Sequence, residues 1–414
     1  MKAVVFYGVG DIRLADQPDP GIQERTDAIV RITASAICGT DLHMVRGTLP
    51  GMKPGTILGH EGIGIVEDLG SDVRHVRPGD RVVIPSTIAC GSCSYCRAGY
   101  QAQCDHANPN GPRAGSAFFG GPAETGAFQG LQAEKALVPF ANAGLIKLPD
   151  HVTDDQAILL SDIFPTGYFG AELAEIKPGN TVAVFGCGPV GQFAIVGARL
   201  FGAGRIFAVD NIDSRLAMAQ AQGAEIINFD HEDPVDTLLR LTGGIGPDRA
   251  IDAVGVDAVA PSHGPARRTV AARSDQFDQE QRQIAPQTHP VHDNWHPGDA
   301  PSLVLSWAVQ SLAKAGTLAI IGVYPQAAHQ FPVGAAVNKN LTVKMGNCHH
   351  RRYIPTLLAS VANGTIQPEE ILTQSGPLYA AIDAYKAFDT RQPGWMKVKL
   401  EPEAALAGES RRPG

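Results

Sequence analysis

The chain has 414 residues, long enough for two domains with separate cores, and its 44% hydrophobic and 18% charged content is that of a globular protein. A formal net charge of −8 argues against nucleic acid or an anionic membrane as the main partner. The opening Met1 to Gly8 run is strand-like rather than a leader and no later run could span a bilayer, so a cytoplasmic protein is expected.

Residues 1 to about 150 contain short β-branched runs cut by glycine and proline, such as Ala28-Ile29-Val30-Arg31-Ile32 and Asp80-Arg81-Val82-Val83-Ile84. Many short strands between turn signals predict a β-barrel-like domain. After about residue 163 the texture changes to α/β. The strand Thr181 to Phe185 leads through a glycine turn into a helical stretch, Val190 to Phe201, and Arg205 to Val209 forms the next strand. Asp213 reads as the N-cap of a further helix that runs to Gln222 and ends at Gly223. Strand, helix, strand, helix predicts a doubly wound parallel sheet. Residues 257–300 break the rhythm with Pro, His, Gln, Arg and Asp and read as a long surface insertion. The sheet resumes at Thr317 to Gly322. The expected division is 1–162, 163–338 with the insertion, and 339–414 returning to the first domain through a helix and a strand, with a disordered tail over 407–414.

Gly186-Cys187-Gly188-Pro189-Val190-Gly191 fits a dinucleotide-binding turn. Gly186 permits the tight turn, Gly188 lets a pyrophosphate approach the backbone, and Gly191 allows close helix packing. The helix that follows offers free N–H groups and a positive dipole end. Asp210 ends the next strand, where an acid binds ribose hydroxyls and repels a 2′-phosphate, so NAD is expected over NADP. A glycine turn of another α/β sheet is the alternative. Cys187 inside the turn reads as a small filler.

Cys90, Cys93, Cys96 and Cys104 have the short spacings that close a tetrahedron around zinc with no open position, hence a structural site in a 90–104 lobe. Iron–sulfur ligation is the rival for four thiolates. Cys38 and His60, taken alone, are more often packing residues than ligands.

The stretch Gly59-His60-Glu61-x2-Gly64-x5-Gly70-x2-Val73, the four-cysteine lobe and the Gly186 to Gly191 turn occur in one order. In this the chain resembles the zinc-containing medium-chain dehydrogenase/reductase family over nearly its whole length. The resemblance implies a GroES-like β-barrel catalytic domain beside a Rossmann NAD-binding domain, with catalytic zinc in the cleft. Cys38 and His60 would be ligands. Where relatives supply a second cysteine, this chain has Asp162, within Leu160-Ser161-Asp162-Ile163, and that choice resembles the glutathione-independent, aldehyde-dismutating formaldehyde dehydrogenases. Zinc accepts cysteine, histidine and carboxylate donors alike. Two zinc ions per chain, one catalytic and one structural, are therefore expected. Glu61 is either a transient ligand or a buried acid paired with a nearby arginine.

The resemblance further implies a proton path from the substrate hydroxyl through Thr40 and the cofactor ribose to His43 beside bulk water. It places Gly39, Thr40, Thr166, Gly186, Gly188, Pro189, Val190, Gly191, Asp210 and Arg215 against the cofactor. The expected reaction is hydride transfer between a small alcohol or hydrated aldehyde, formaldehyde favoured, and NAD. A general alcohol or polyol dehydrogenase with exchangeable NAD, or a non-catalytic NAD-binding protein, are the alternatives. A homotetramer or homodimer is expected by analogy. Cys348-His349-His350 suggests a further metal site or, beside Arg351 and Arg352, an interface or phosphate contact.

Overall fold

A computed structural model describes residues 1–402; the tail expected over 407–414 lies outside the described residues. Six parallel strands form one sheet, in the spatial order Glu225–Asn228, Arg205–Asp210, Thr181–Phe185, Arg249–Asp252, Thr317–Ile320 and Thr342–Met345. Thr181–Phe185 is apolar throughout after its first residue because helices cover both faces of the sheet. The strand order reverses between Thr181–Phe185 and Arg249–Asp252. At such a reversal the flanking loops part and leave a crevice at the strands' carboxyl ends.

Two features correct the expected boundaries. Thr342–Met345 pairs with Thr317–Ile320, so this sheet runs past residue 338. The strand carries a lysine and is half exposed at the sheet edge, which hides it from an apolar-run criterion. The helix expected to be capped by Asp213 spans Asp213–Ala221 with Ile212 at the cap, and Asp213 Oδ1 instead accepts from Asn228 Nδ2 at 3.1 Å.

The other large sheet has seven strands: Gln374–Pro377, Val398–Glu401, Ala28–Ile37, Gly62–Leu69, Arg81–Ile84 and Ile146–Lys147 in order, with Lys135–Val138 also paired to Ala28–Ile37. Val30, Ile32, Val66, Val82, Ile84 and Val138 alternate inward from these strands into one core. Val398–Glu401 adds antiparallel to Ala28–Ile37, so the chain's last described strand completes a sheet begun near its start.

The 257–300 insertion is more than a surface loop. It forms the helices Gly264–Ala271 and Ser274–Ile284, whose Ala266, Val270 and Phe277 pack into the core of the parallel sheet. Farther on, Trp295 is buried among Val4, Phe6, Leu42 and Tyr385 of the first domain. The backbone carbonyls of His289 and Gln287 press on Gly10 and Gly47, where a Cβ would come within 2.5 and 2.3 Å. One polar segment therefore touches both domains.

Candidate active site

The long strand Ala28–Ile37 ends directly in Cys38, which caps the helix Gly39–Arg46. His60 follows Gly59, whose φ of +92° and closeness to Gln132 exclude a side chain. Asp162 precedes the helix Ile163–Leu173. These three separate stretches converge: Asp162 Oδ2 lies 3.7 Å from Cys38 Sγ and 3.2 Å from His60 Nε2. With Glu61, all four offer ligand atoms within 4.8 Å of one another, and all four are buried.

A thiol, an imidazole and a carboxylate so placed suit zinc, leaving a fourth position open. Both ring nitrogens of His60 are buried without a directed hydrogen bond, an arrangement that costs free energy unless a cation engages Nε2. His60 Nδ1 faces Asp41 Oδ1 at 3.2 Å, as an orienting carboxylate would. Asp41 is itself held by the Cys38 N–H at 2.9 Å. Burial raises the Asp162 carboxyl, but the imidazoles of His350 and His60 beside it prevail and hold it well below the usual range.

Glu61 pairs with a lysine rather than an arginine: Lys397 Nζ donates to Glu61 Oε1 at 2.7 Å and to the Ile37 carbonyl at 2.9 Å. Neither side chain is exposed. His350 joins this site instead of forming another. Its Nε2 lies 2.7 Å from Asp162 Oδ1, and Nδ1 lies 3.0 Å from Thr87 Oγ1. His349 points elsewhere, accepting from the Ala102 N–H at 3.2 Å.

The four sulfurs of Cys90, Cys93, Cys96 and Cys104 also lie within 4.8 Å of one another, with no disulfide. Cys90 to Cys96 is 4.0 Å and Cys93 to Cys104 is 3.9 Å. Zinc–sulfur bonds of about 2.3 Å in a tetrahedron require sulfur separations of about 3.8 Å, so the lobe is shaped for a metal. The N–H groups of Cys90, Ser92, Cys93 and Cys96 point at the sulfurs. Although burial opposes it, the Ser92 and Cys93 donors bring Cys90 down to about 6.

At the crevice, Gly186 has φ +87°, and a Cβ on Gly191 would stand 1.8 Å from the Gly186 carbonyl oxygen. Helix Pro189–Leu200 starts there with Gly188 as cap and proline in its first turn. Asp210 is pinned by the N–H groups of Cys187 at 2.7 Å, Asn211 at 2.8 Å and Ile212 at 3.1 Å. Cys187 itself is fully buried. Arg215 lies beside Gly188.

One cavity of about 760 Å³ is lined by Cys38, Gly39, Thr40, His60, Asp162 and Thr166 at one end, and by Gly186, Gly188, Pro189, Val190, Asp210 and Arg215 at the other. Gly191 packs behind the turn. Thr166 Oγ1 donates to Asp162 Oδ1 at 3.0 Å. His43 also borders the cavity, but it is only 5% exposed, against the expectation that it faces bulk water. Asp257, at the root of the insertion, sits against it.

Three polar residues here were not expected from the sequence, Asp41, Asp257 and Lys397, and a fourth, His350, was expected at a separate metal site or contact. Asp41 carried a signal, lying within the Cys38 to His43 motif. The other three reach the site only through tertiary packing.

Two family models match the chain: the alcohol dehydrogenase GroES-like domain over residues 24–150 and the zinc-binding dehydrogenase model over 189–263. The zinc-type alcohol dehydrogenase-like protein AdhB of Bacillus subtilis is 37% identical over 407 residues, spanning 97% of this chain and 100% of its own. The solved alcohol dehydrogenase TADH from Thermus sp. ATN1 superposes with a TM-score of 0.78 at 33% identity, covering 97% of this chain and 100% of that one. The glutathione-independent formaldehyde dehydrogenase of Pseudomonas aeruginosa is 37% identical, but only over 66% of this chain and 69% of its own length. The chain therefore belongs to the zinc-type alcohol dehydrogenases of the medium-chain dehydrogenase family.

Proposed function

We propose that the protein transfers hydride between small alcohols and NAD, with zinc held by Cys38, His60 and Asp162. The observation that carries this reading is the single cavity joining those donors to the Gly186 to Gly191 turn and Asp210. Zinc bound there supplies a Lewis acid toward a substrate oxygen. Thr40, whose Oγ1 is 4.0 Å from Cys38 Sγ, would receive the substrate's hydroxyl proton and pass it by way of the cofactor ribose to His43. Thr166, tethered by Asp162 and lining the same cavity, would pack against a bound nicotinamide. Asp210 accepts ribose hydroxyls, and its charge disfavours a 2′-phosphate. A second zinc, held by Cys90, Cys93, Cys96 and Cys104, stabilises the lobe.

The test is initial rates on zinc-loaded protein with a series of small alcohols, followed by nicotinamide reduction. Turnover with NAD and at least tenfold weaker use of NADP is expected. No reduction of either coenzyme with any alcohol would overturn the proposal.

Asp162 and the partial similarity to the Pseudomonas formaldehyde dehydrogenase favour a second substrate, hydrated formaldehyde. Protein given formaldehyde without added NAD would then yield formate and methanol in equal amounts over many turnovers. Absence of both products rules out retained coenzyme acting on formaldehyde.

A further inference from the structure

His43 stands on the helix Gly39–Arg46 of the first domain, and Asp257 follows the strand Arg249–Asp252 of the parallel sheet. Asp257 Oδ2 lies 3.0 Å from His43 Nδ1, and Thr48 Oγ1 lies 2.9 Å from the same nitrogen. The Thr48 hydroxyl donates to the His43 carbonyl at 3.3 Å, so toward the ring it can only accept. A carboxylate also only accepts. Both neighbours of Nδ1 are therefore acceptors, and Nδ1 must carry the proton. Among the described residues no protein group bonds Nε2, and the imidazole borders the cavity.

Asp257 is itself held from several sides. Arg46 Nη1 donates to Oδ2 at 2.7 Å, and the Gly298 N–H donates to Oδ1 at 3.1 Å. Arg46 in turn spans to Asp389 Oδ1 at 2.8 Å. Burial alone would raise the Asp257 carboxyl, but His43 and Arg46 beside it hold it well below the usual range, so it stays an anion. Asp257 and His43 are each about nine-tenths or more buried, where the Asp257 charge is weakly screened.

We infer that Asp257 is a positioning residue for His43: from the opposite wall of the cleft it fixes the Nδ1–H tautomer, leaving the Nε2 lone pair to take the proton released by the substrate. The proton adds to Nε2, the Nδ1–H bond is retained, and the imidazolium so formed faces the Asp257 anion. The base is complete only when both domains hold their places, because each supplies one member of the pair. This rests on the reading of His43 as the receiver of the substrate proton. The charged groups around the ring are Asp257 directly and, beyond it, Arg46, Asp389 and Arg391, the last donating to the Asp257 carbonyl at 3.5 Å.

The test is the ring ¹⁵N spectrum of the full-length, zinc-loaded protein with labelled histidine, His43 being assigned by its loss in His43→Gln. The wild type is expected to show a protonated Nδ1 and an unprotonated Nε2. Asp257→Asn should move the ring toward the other tautomer. It should also lower kcat about tenfold, a part of the 10²–10⁴ typical of a general base. Asp257→Glu should restore the tautomer. Asp389→Asn, which disturbs the same buried network without touching His43, should leave the tautomer unmoved. A wild-type ring protonated on Nε2, or identical spectra for Asp257→Asn and Asp389→Asn, would overturn the inference. A His43→Gln protein with undiminished kcat would instead overturn the proton-path reading beneath it.

Discussion

His350 Nε2 lies 2.7 Å from Asp162 Oδ1, joining residues 188 positions apart. The contact leaves Oδ2 of the same carboxylate turned toward Cys38 and His60. Since a carboxylate can only accept, Nε2 donates, and the bond both orients Asp162 and sustains its negative charge.

Replacing His350 by phenylalanine is therefore expected to weaken zinc binding at the Cys38 site about 10- to 100-fold, the usual cost of losing an orienting partner. Chelator competition measures it directly. An unchanged affinity would mean that Thr166 alone suffices to hold the carboxylate.

The four-cysteine lobe gives a separate expectation on metal removal. Wild type should carry two zinc ions per chain and Cys104→Ser one, with a lower melting temperature. In chelator-stripped protein at pH 7, Cys90 should be alkylated ahead of the others, since its thiol is brought down to about 6 by the Ser92 and Cys93 donors against the opposing effect of burial. The labelling rate should fall as pH drops below that value, because the thiolate is the nucleophile. Zinc should protect it.

Asp210 accepts three backbone N–H groups around the coenzyme turn. Asp210→Ser should raise the KM for NAD and narrow the preference over NADP by about tenfold, close to 1.4 kcal/mol. Steady-state kinetics with both coenzymes decide. An unaltered ratio would place the discrimination elsewhere in the cleft.

The fold's acid sensitivity should depend on Asp257. Its folded pKa is depressed below the unfolded value of about 3.9. Its stabilising contribution is then fully present above that value and declines as pH falls below it toward the folded pKa. Denaturant midpoints measured from pH 5 to pH 3 should fall less steeply in Asp257→Asn than in wild type. Parallel curves would count against a charged Asp257 in the folded protein.

How much was legible in the chain follows from how local each signal is. The Gly186 to Gly191 turn and the four cysteines act through neighbours in sequence. Glycine placement dictates the turn, and spacings of two to seven residues bring sulfurs together around one ion. The apolar runs at Thr181–Phe185 and Arg205–Asp210 likewise announce a covered parallel sheet, while Thr342–Met345, half polar at an edge, does not.

By its own pattern, then, the sequence determined an α/β nucleotide-binding half, a strand-rich half and a cysteine lobe. Only tertiary structure decided which distant side chains complete the site. Asp162 meets Cys38 because the preceding helix Asp154–Leu160 packs against Ala28–Ile37 and Gly62–Leu69 of the first domain, and His350 and Lys397 reach it from later elements. His43 lies buried because Asp257 and the insertion close over it, with Trp295 seated in the first domain's core. Buried charges demand partners in low dielectric, and those partners are chosen by packing across space, which no local spacing encodes.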